Sequence, residues 1–95
     1  MGLTFEWDPK KVAINAAKHG VGFPEAATVF SDQDSITIND PMHSEKEIRK
    51  ITIGRSFARK VLVVVHTERG DNIRIISARS ASRRERSQYH AQQKP

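Results

Sequence analysis

Apolar residues alternate with polar ones through the second half of the chain and recur at helical spacing near its start. Val61-Leu62-Val63-Val64-Val65 is wholly apolar and reads as the central strand of a sheet. A turn at Glu68-Arg69-Gly70-Asp71 leads to a second strand, Ile73 to Arg79. Upstream, Ile48 to Ser56 alternates, with Ile51 and Ile53 on one face, Lys50 and Thr52 on the other, and Gly54 as a weak point. Ser56-Phe57-Ala58-Arg59-Lys60 makes the turn into the central strand. Ser35 to Asn39 adds a short strand through Ile36 and Ile38, closed by Asp40-Pro41 and a polar loop through His43 and Ser44. Thr4 to Trp7 reads as an opening strand.

Helix signals sit between these strands. Asp8-Pro9 is a strong start, with Asp as N-cap and Pro where its missing N–H costs nothing. This helix runs to His19 and stops at Gly20, a left-handed C-cap. Its narrow apolar stripe of Val12, Ala13, Ala16 and Ala17 predicts that the helix packs closely on another element. Phe23 to Phe30 gives a second, shorter helix with Pro24 in its first turn. A short basic helix, Ser82 to Tyr89, ends the pattern, and residues 91–95 read as a frayed tail. Strands joined by tight turns are antiparallel neighbours, and segregated helices are expected to cover one face of the sheet. The predicted fold is α+β: two N-terminal helices and a C-terminal helix packed against an antiparallel β-sheet.

Ninety-five residues suffice for one domain with one modest core, and without cysteine that core relies on burial alone. The acidic N-terminus, the lack of a long apolar run and Glu6 in place of a myristoylation Ser or Thr point to a cytoplasmic protein with no membrane partner. The net charge of +5 hides an asymmetry. From Met1 to Ile48 four lysines face eight acidic residues, a balance of −4. From Arg49 to Arg86 eleven cations face three acidic residues, a balance of +8, and Lys94 adds one more. A field of one sign draws in a polyanion, nucleic acid above all, or an acidic protein.

No pattern for a nucleotide cofactor or a metal occurs. His19, His43, His66 and His90 are more than twenty residues apart, and glycine-rich phosphate loops are absent. Chemistry on RNA remains open to such a chain, because the 2′-hydroxyl is itself a nucleophile. It needs a base for that proton, a cation for the phosphorus oxygens and an acid for the leaving 5′-oxygen. Arg79 shares a strand phase with Ile73, Ile75 and Ser77 and either points into a cleft or pairs with a carboxylate. Arg74 falls on the other face with Ile76 and Ala78. Glu85 completes a capping box from Ser82, or else serves chemistry; Tyr89, at i+4, anchors the helix or offers its hydroxyl. His19 and Lys18 close the first helix, where dipole compensation competes with a proton-handling role. His66 and Thr67 end the central strand and could face the cleft of Arg79. Arg83, Arg84, Arg86, Arg55 and Arg59, with Lys60, are solvated or track phosphates.

Taken together these residues resemble the BrnT toxins of BrnT/BrnA type II toxin–antitoxin pairs. The resemblance runs through Phe5-Glu6-Trp7-Asp8, Asn15, Lys18-His19-Gly20-Val21, Phe23, Ala26 to Phe30 and Asp32. It continues in Asp40, His43-Ser44, Glu47, Arg49 and Ile53-Gly54, then Ile73 to Arg79, Ala81, Glu85-Arg86 and Tyr89. After Tyr89 the chain has His90-Ala91-Gln92-Gln93, where relatives often turn acidic. The resemblance implies a RelE-like fold, ribonuclease activity that stops translation, and a BrnA-type antitoxin as partner, with operator DNA met only through the toxin–antitoxin complex. It leaves the base and the acid unassigned among Arg79, His19, Lys18, Glu85, Arg74 and Tyr89. The rivals are a non-catalytic nucleic-acid-binding or repressor subunit, and an interaction protein whose basic face meets an acidic partner.

Overall fold

Asp8 opens the first helix by accepting the Lys10 amide at 2.9 Å, with Pro9 in the first turn. In the computed structural model, which describes residues 3–40 and 48–93, this helix (α1) spans Pro9–His19. It ends on Gly20 at φ 70°, whose N–H donates to the Ala16 carbonyl. Of the expected stripe Val12 packs against the core, but Ala13, Ala16 and Ala17 are exposed. The buried residue is Asn15, 6 % exposed, which donates to the carbonyls of Val21 (3.0 Å) and Ala78 (2.9 Å) and accepts the Ala78 N–H at 3.2 Å. An alanine face offers little area to bury, whereas open backbone groups on a strand must be satisfied, and the amide does that.

The strands are β1 (Thr4–Trp7), β2 (Ile36–Asn39), β3 (Arg49–Arg55), β4 (Val61–Arg69) and β5 (Asn72–Ser80). Helix α2 (Phe23–Thr28) runs on into a 3-10 turn, Val29–Ser31, and α3 spans Arg83–Gln92. The sheet order is β1-β5-β4-β3-β2. Tight turns make β3, β4 and β5 antiparallel as expected, and β2 is antiparallel to β3. One expectation fails here: β1 pairs with β5 in parallel, so the sheet is mixed. Turn chemistry governs only neighbours in sequence, and β1 reaches β5 from the far end of the chain.

A second expectation fails at the faces of the sheet. Leu62 and Val64 join Val21, Phe23, Ala26, Val29, Ile75 and Ala78 in the core under α2. Val61 and Val63 pack instead with Ala81, Tyr89, Ile51 and Ile53 under α3. Helix α3 therefore covers the opposite face from α1 and α2. The cause is in β4 itself: a strand apolar at every position must be covered on both sides.

Gly54 marks where the 3-10 turn meets the sheet. A Cβ there would lie 2.7 Å from Val29 Cγ1 and 3.0 Å from Ser35 Cβ. Helix α3 reaches Gln92, so Ala91 and Gln92 are helical rather than part of a frayed tail. Met1, Gly2, the stretch containing His43, Ser44 and Glu47, and Lys94-Pro95 lie outside the described residues.

Candidate active site

A single extra residue in β5 sets the site. Val65 faces Ser77 but His66 faces Ile75, so Ile76 is a β-bulge. Without it Arg74 and Arg79, five residues apart, would point to opposite faces. With it, Arg74 lies opposite Thr67 and Arg79 opposite Val63, both on the α3 face. Arg79 thus shares a face with Ser77 but not with Ile73 and Ile75, which corrects its expected phase and that of Arg74. The register puts Arg49 and Arg55 of β3 on this face too. The other face carries Lys50, His66 and Glu68.

Arg79 is held by a fork-to-fork pair with Glu85 at the start of α3. Its Nη1 donates to Oε1 at 2.7 Å and its Nη2 to Oε2 at 2.9 Å, with a further Nη1 contact to the Ser80 carbonyl at 3.3 Å. Of the five N–H donors of a guanidinium these use three, which leaves two for a ligand. The Arg79 side chain is 43 % exposed, so those donors are within reach of solvent. Glu85 also closes the capping box: its Oε1 accepts the Ser82 N–H at 2.8 Å, and its own N–H donates to Ser82 Oγ. The Arg79 guanidinium, and then the Ser82 donors, hold the Glu85 carboxyl down at about 2 against the opposing effect of burial. The same pair raises Arg79 above its ordinary value.

Arg74 is paired as well, donating from Nη1 to Glu6 Oε2 at 3.0 Å, while Asn72 reaches Glu6 Oε1. Hydrogen bonds from Asn72 and Arg74 hold the Glu6 carboxyl below its usual range. At the β5 edge, Lys18 and His19 line a pocket of about 210 Å³ with Lys11, Ile14, Asn15, Ile76 and Ser77. Ser77 is two residues from Arg79 on the same strand face, a spacing of about 7 Å. Helix α1 and β5 therefore bring His19 and Lys18 beside Ser77 at the edge of the sheet, while Arg79, two residues further along β5, points to the α3 side.

The chain matches the model of a family described as ribonuclease toxin, BrnT, of type II toxin–antitoxin systems, over residues 7–85. It belongs to the BrnT family. The crystal structure of the Brucella abortus ribonuclease toxin BrnT superposes with a TM-score of 0.63 at 26 % identity, covering 86 % of this chain and all of that one. No curated protein matches the chain significantly. The stretch matched to the BrnT family contains Lys18, His19, Arg74, Arg79 and Glu85 and stops short of Tyr89.

Other candidates lie elsewhere. Tyr89 is 1 % exposed in the α3 core, and its hydroxyl donates to Asp32 Oδ2 at 2.5 Å. Burial, then the Asp32 carboxylate, push it up to about 12. Burial tends to raise Asp32, yet the Tyr89 hydroxyl and the amides of Arg55 and Asp34 outweigh it and leave the carboxyl lowered. His66 faces α2, away from Arg79, which corrects the expected shared cleft. It is buried against Phe30, bonds Thr52 Oγ1 through Nε2 at 2.7 Å, and is pushed down to about 4 by burial and then by Lys50. Thr67 is on the Arg79 face but buried, donating to the Ile48 carbonyl. Arg83, Arg84 and Arg86 are exposed on α3, and Arg55 and Arg59 flank the β3–β4 turn. Sequence reasoning gave no role to Asp32 or to the buried amide of Asn15. A polar residue between apolar helix positions was the available signal for Asn15; Asp32 offered none. Among the described residues no group of three or more His, Cys, Asp or Glu is arranged to hold a metal ion, and no helix is long and apolar enough to cross a membrane.

Proposed function

We propose that this chain is a single-domain, RelE-like endoribonuclease toxin that cuts RNA without a metal, with the 2′-hydroxyl as nucleophile. What carries the reading is the bulge at Ile76, which turns Arg79 and Arg74 to one face, next along β5 to Ser77 in the pocket where Lys18 and His19 approach the sheet edge. His19 takes the 2′-proton as the 2′-oxygen bonds to phosphorus. Arg79 donates its two remaining N–H groups to the phosphorus oxygens, and Lys18 protonates the 5′-oxygen as its bond to phosphorus breaks. The products are a 2′,3′-cyclic phosphate and a 5′-hydroxyl. Glu85, held ionised at about 2, is too weak a base for this proton and acts as the positioning residue of Arg79. Tyr89 anchors α3, and its raised hydroxyl is engaged with Asp32.

Arg74, Arg83, Arg84, Arg86, Arg55 and Arg59 hold the RNA backbone. Cleavage stops translation in the cytoplasm, a BrnA-type antitoxin neutralises the toxin, and operator DNA is met only through their complex. Incubation of the purified protein with RNA in EDTA tests this. The expected result is cleavage leaving cyclic or 3′-phosphate ends. A salt-sensitive gel shift without cleavage would make the chain a non-catalytic nucleic-acid-binding subunit instead.

A further inference from the structure

The turn between β3 and β4 holds an aromatic ring out in water. Phe57 is 74 % exposed, the most exposed of the large apolar side chains among the described residues. A lone exposed apolar residue is ordinary, so exposure by itself decides nothing. Two further observations set this one apart.

The turn is fixed from beneath. The Phe57 N–H donates to Thr28 Oγ1 at 2.9 Å, and Ser56 Oγ donates to Glu25 Oε2 at 2.7 Å, so two side chains of α2 tie it down. Within the turn, Ser56 N–H donates to the Lys60 carbonyl and Arg59 N–H to the Ser56 carbonyl, both at 2.8 Å. Arg59 sits at φ 63°, a left-handed conformation that closes the turn. The ring is thus presented on a rigid support and has no route into the core.

Its surroundings are polar and basic. Arg55, Arg59 and Lys60 lie within three residues of it, and a pocket of about 440 Å³ beside it is lined by Thr28, Ser31, Asp32, Arg55 and Ser56. The Arg55 guanidinium lies 5.8 Å from the centroid of the Tyr89 ring, which ties this corner to α3. The Asp32 carboxylate in the pocket repels a phosphate but tolerates a base. Cations around an exposed ring are the pattern of single-strand binding: bases stack on the ring while phosphates lie on the cations.

We propose that Phe57 is a stacking platform for an unpaired base of the RNA substrate, with Arg59 and Lys60 on the adjoining phosphates. The proposal rests on the ribonuclease reading above and adds a binding subsite away from the cleavage centre. Arg55 and Arg79 share a sheet face two strands apart, roughly 12 Å between backbones from strand spacing.

The test measures Kd for single-stranded RNA, cleavage kinetics and the fluorescence quenching of a 2-aminopurine-labelled strand, on the full chain and on Phe57→Ala, Phe57→Leu and Phe57→Tyr. Loss of one stacked base weakens binding roughly 5- to 150-fold. Phe57→Ala and Phe57→Leu are expected to raise Kd and KM within that range with kcat within about twofold, and to lose the quenching; Phe57→Tyr keeps all three. The exposed position makes an unchanged melting temperature the control. Cleavage by the unsubstituted protein with unchanged affinity in Phe57→Ala overturns the platform alone. So does a Phe57→Leu variant that binds RNA normally, or a loss confined to binding of the antitoxin, which would assign the ring to a protein interface. An unsubstituted protein that neither binds nor cleaves RNA overturns the ribonuclease reading and the platform with it.

Discussion

Glu85 puts one carboxylate to two uses, gripping Arg79 and capping α3. Glutamine at this position can still cap the helix but cannot form a charged pair. Glu85→Gln is therefore expected to keep the fold while letting the Arg79 guanidinium wander, so that kcat falls more than KM rises. It should also change the acid limb of stability. A carboxyl at about 2 in the folded chain and near 4.5 when unfolded stabilises the fold fully above pH 4.5, and that contribution fades as pH drops towards 2. The melting-temperature gap between wild type and Glu85→Gln should narrow across that window; a gap independent of pH would mean the pair does not hold in solution. At this scale the sequence was half legible. Arg79 and Glu85 could each be singled out, and pairing of Arg79 with some carboxylate was one of two open readings, but spacing did not name Glu85 as that partner because it shows proximity and not direction. His66 was misplaced because a polar residue ending an apolar strand says nothing about which face covers it.

The elements were more legible than their arrangement. Asp8-Pro9, Gly20 and the Ser82–Glu85 box fixed the helix ends through local chemistry, and alternation found β3 and β5. The bulge escaped notice, since Ile75-Ile76 is apolar on both sides of the slip and alternation cannot show which residue is extra. The two-sided cover of β4 is legible in the unbroken Val61–Val65 run, whereas the order of the helices along the chain does not show which face each one covers. Gly54 looked like a weakness of β3 and is instead the contact that seats the 3-10 turn. Gly54→Ala would drive a methyl against Val29, which is fully buried. Overpacking of this kind costs about 1–3 kcal/mol, so the urea midpoint should fall with the m-value unchanged. An unaltered midpoint would show that the turn gives way easily.

Across the molecule the charge is sorted by sheet face as well as by sequence. The composition showed the basic second half, and folding concentrates Arg49, Arg55, Arg74 and Arg79 on the α3 side, with Arg83, Arg84 and Arg86 exposed on the helix above. RNA affinity should fall steeply with salt, by roughly 0.7 log units per phosphate neutralised on a single strand. Replacing Arg83, Arg84 and Arg86 together is expected to flatten that slope by roughly two units while the protein stays folded. An unchanged slope would remove α3 from the phosphate path. Catalysis is expected to depend most on Arg79, and the Arg79→Ala variant decides this through melting temperature, RNA affinity and single-turnover cleavage on one preparation. The Arg79–Glu85 pair is only partly exposed, so its loss should lower the melting temperature by a few degrees and leave the protein folded at the assay temperature. A preorganised donor at the scissile phosphate contributes far more to the transition state than to binding, and cleavage should drop roughly 10²–10³-fold with affinity nearly kept. A stable Arg79→Ala protein that cleaves RNA at the wild-type rate would contradict the account.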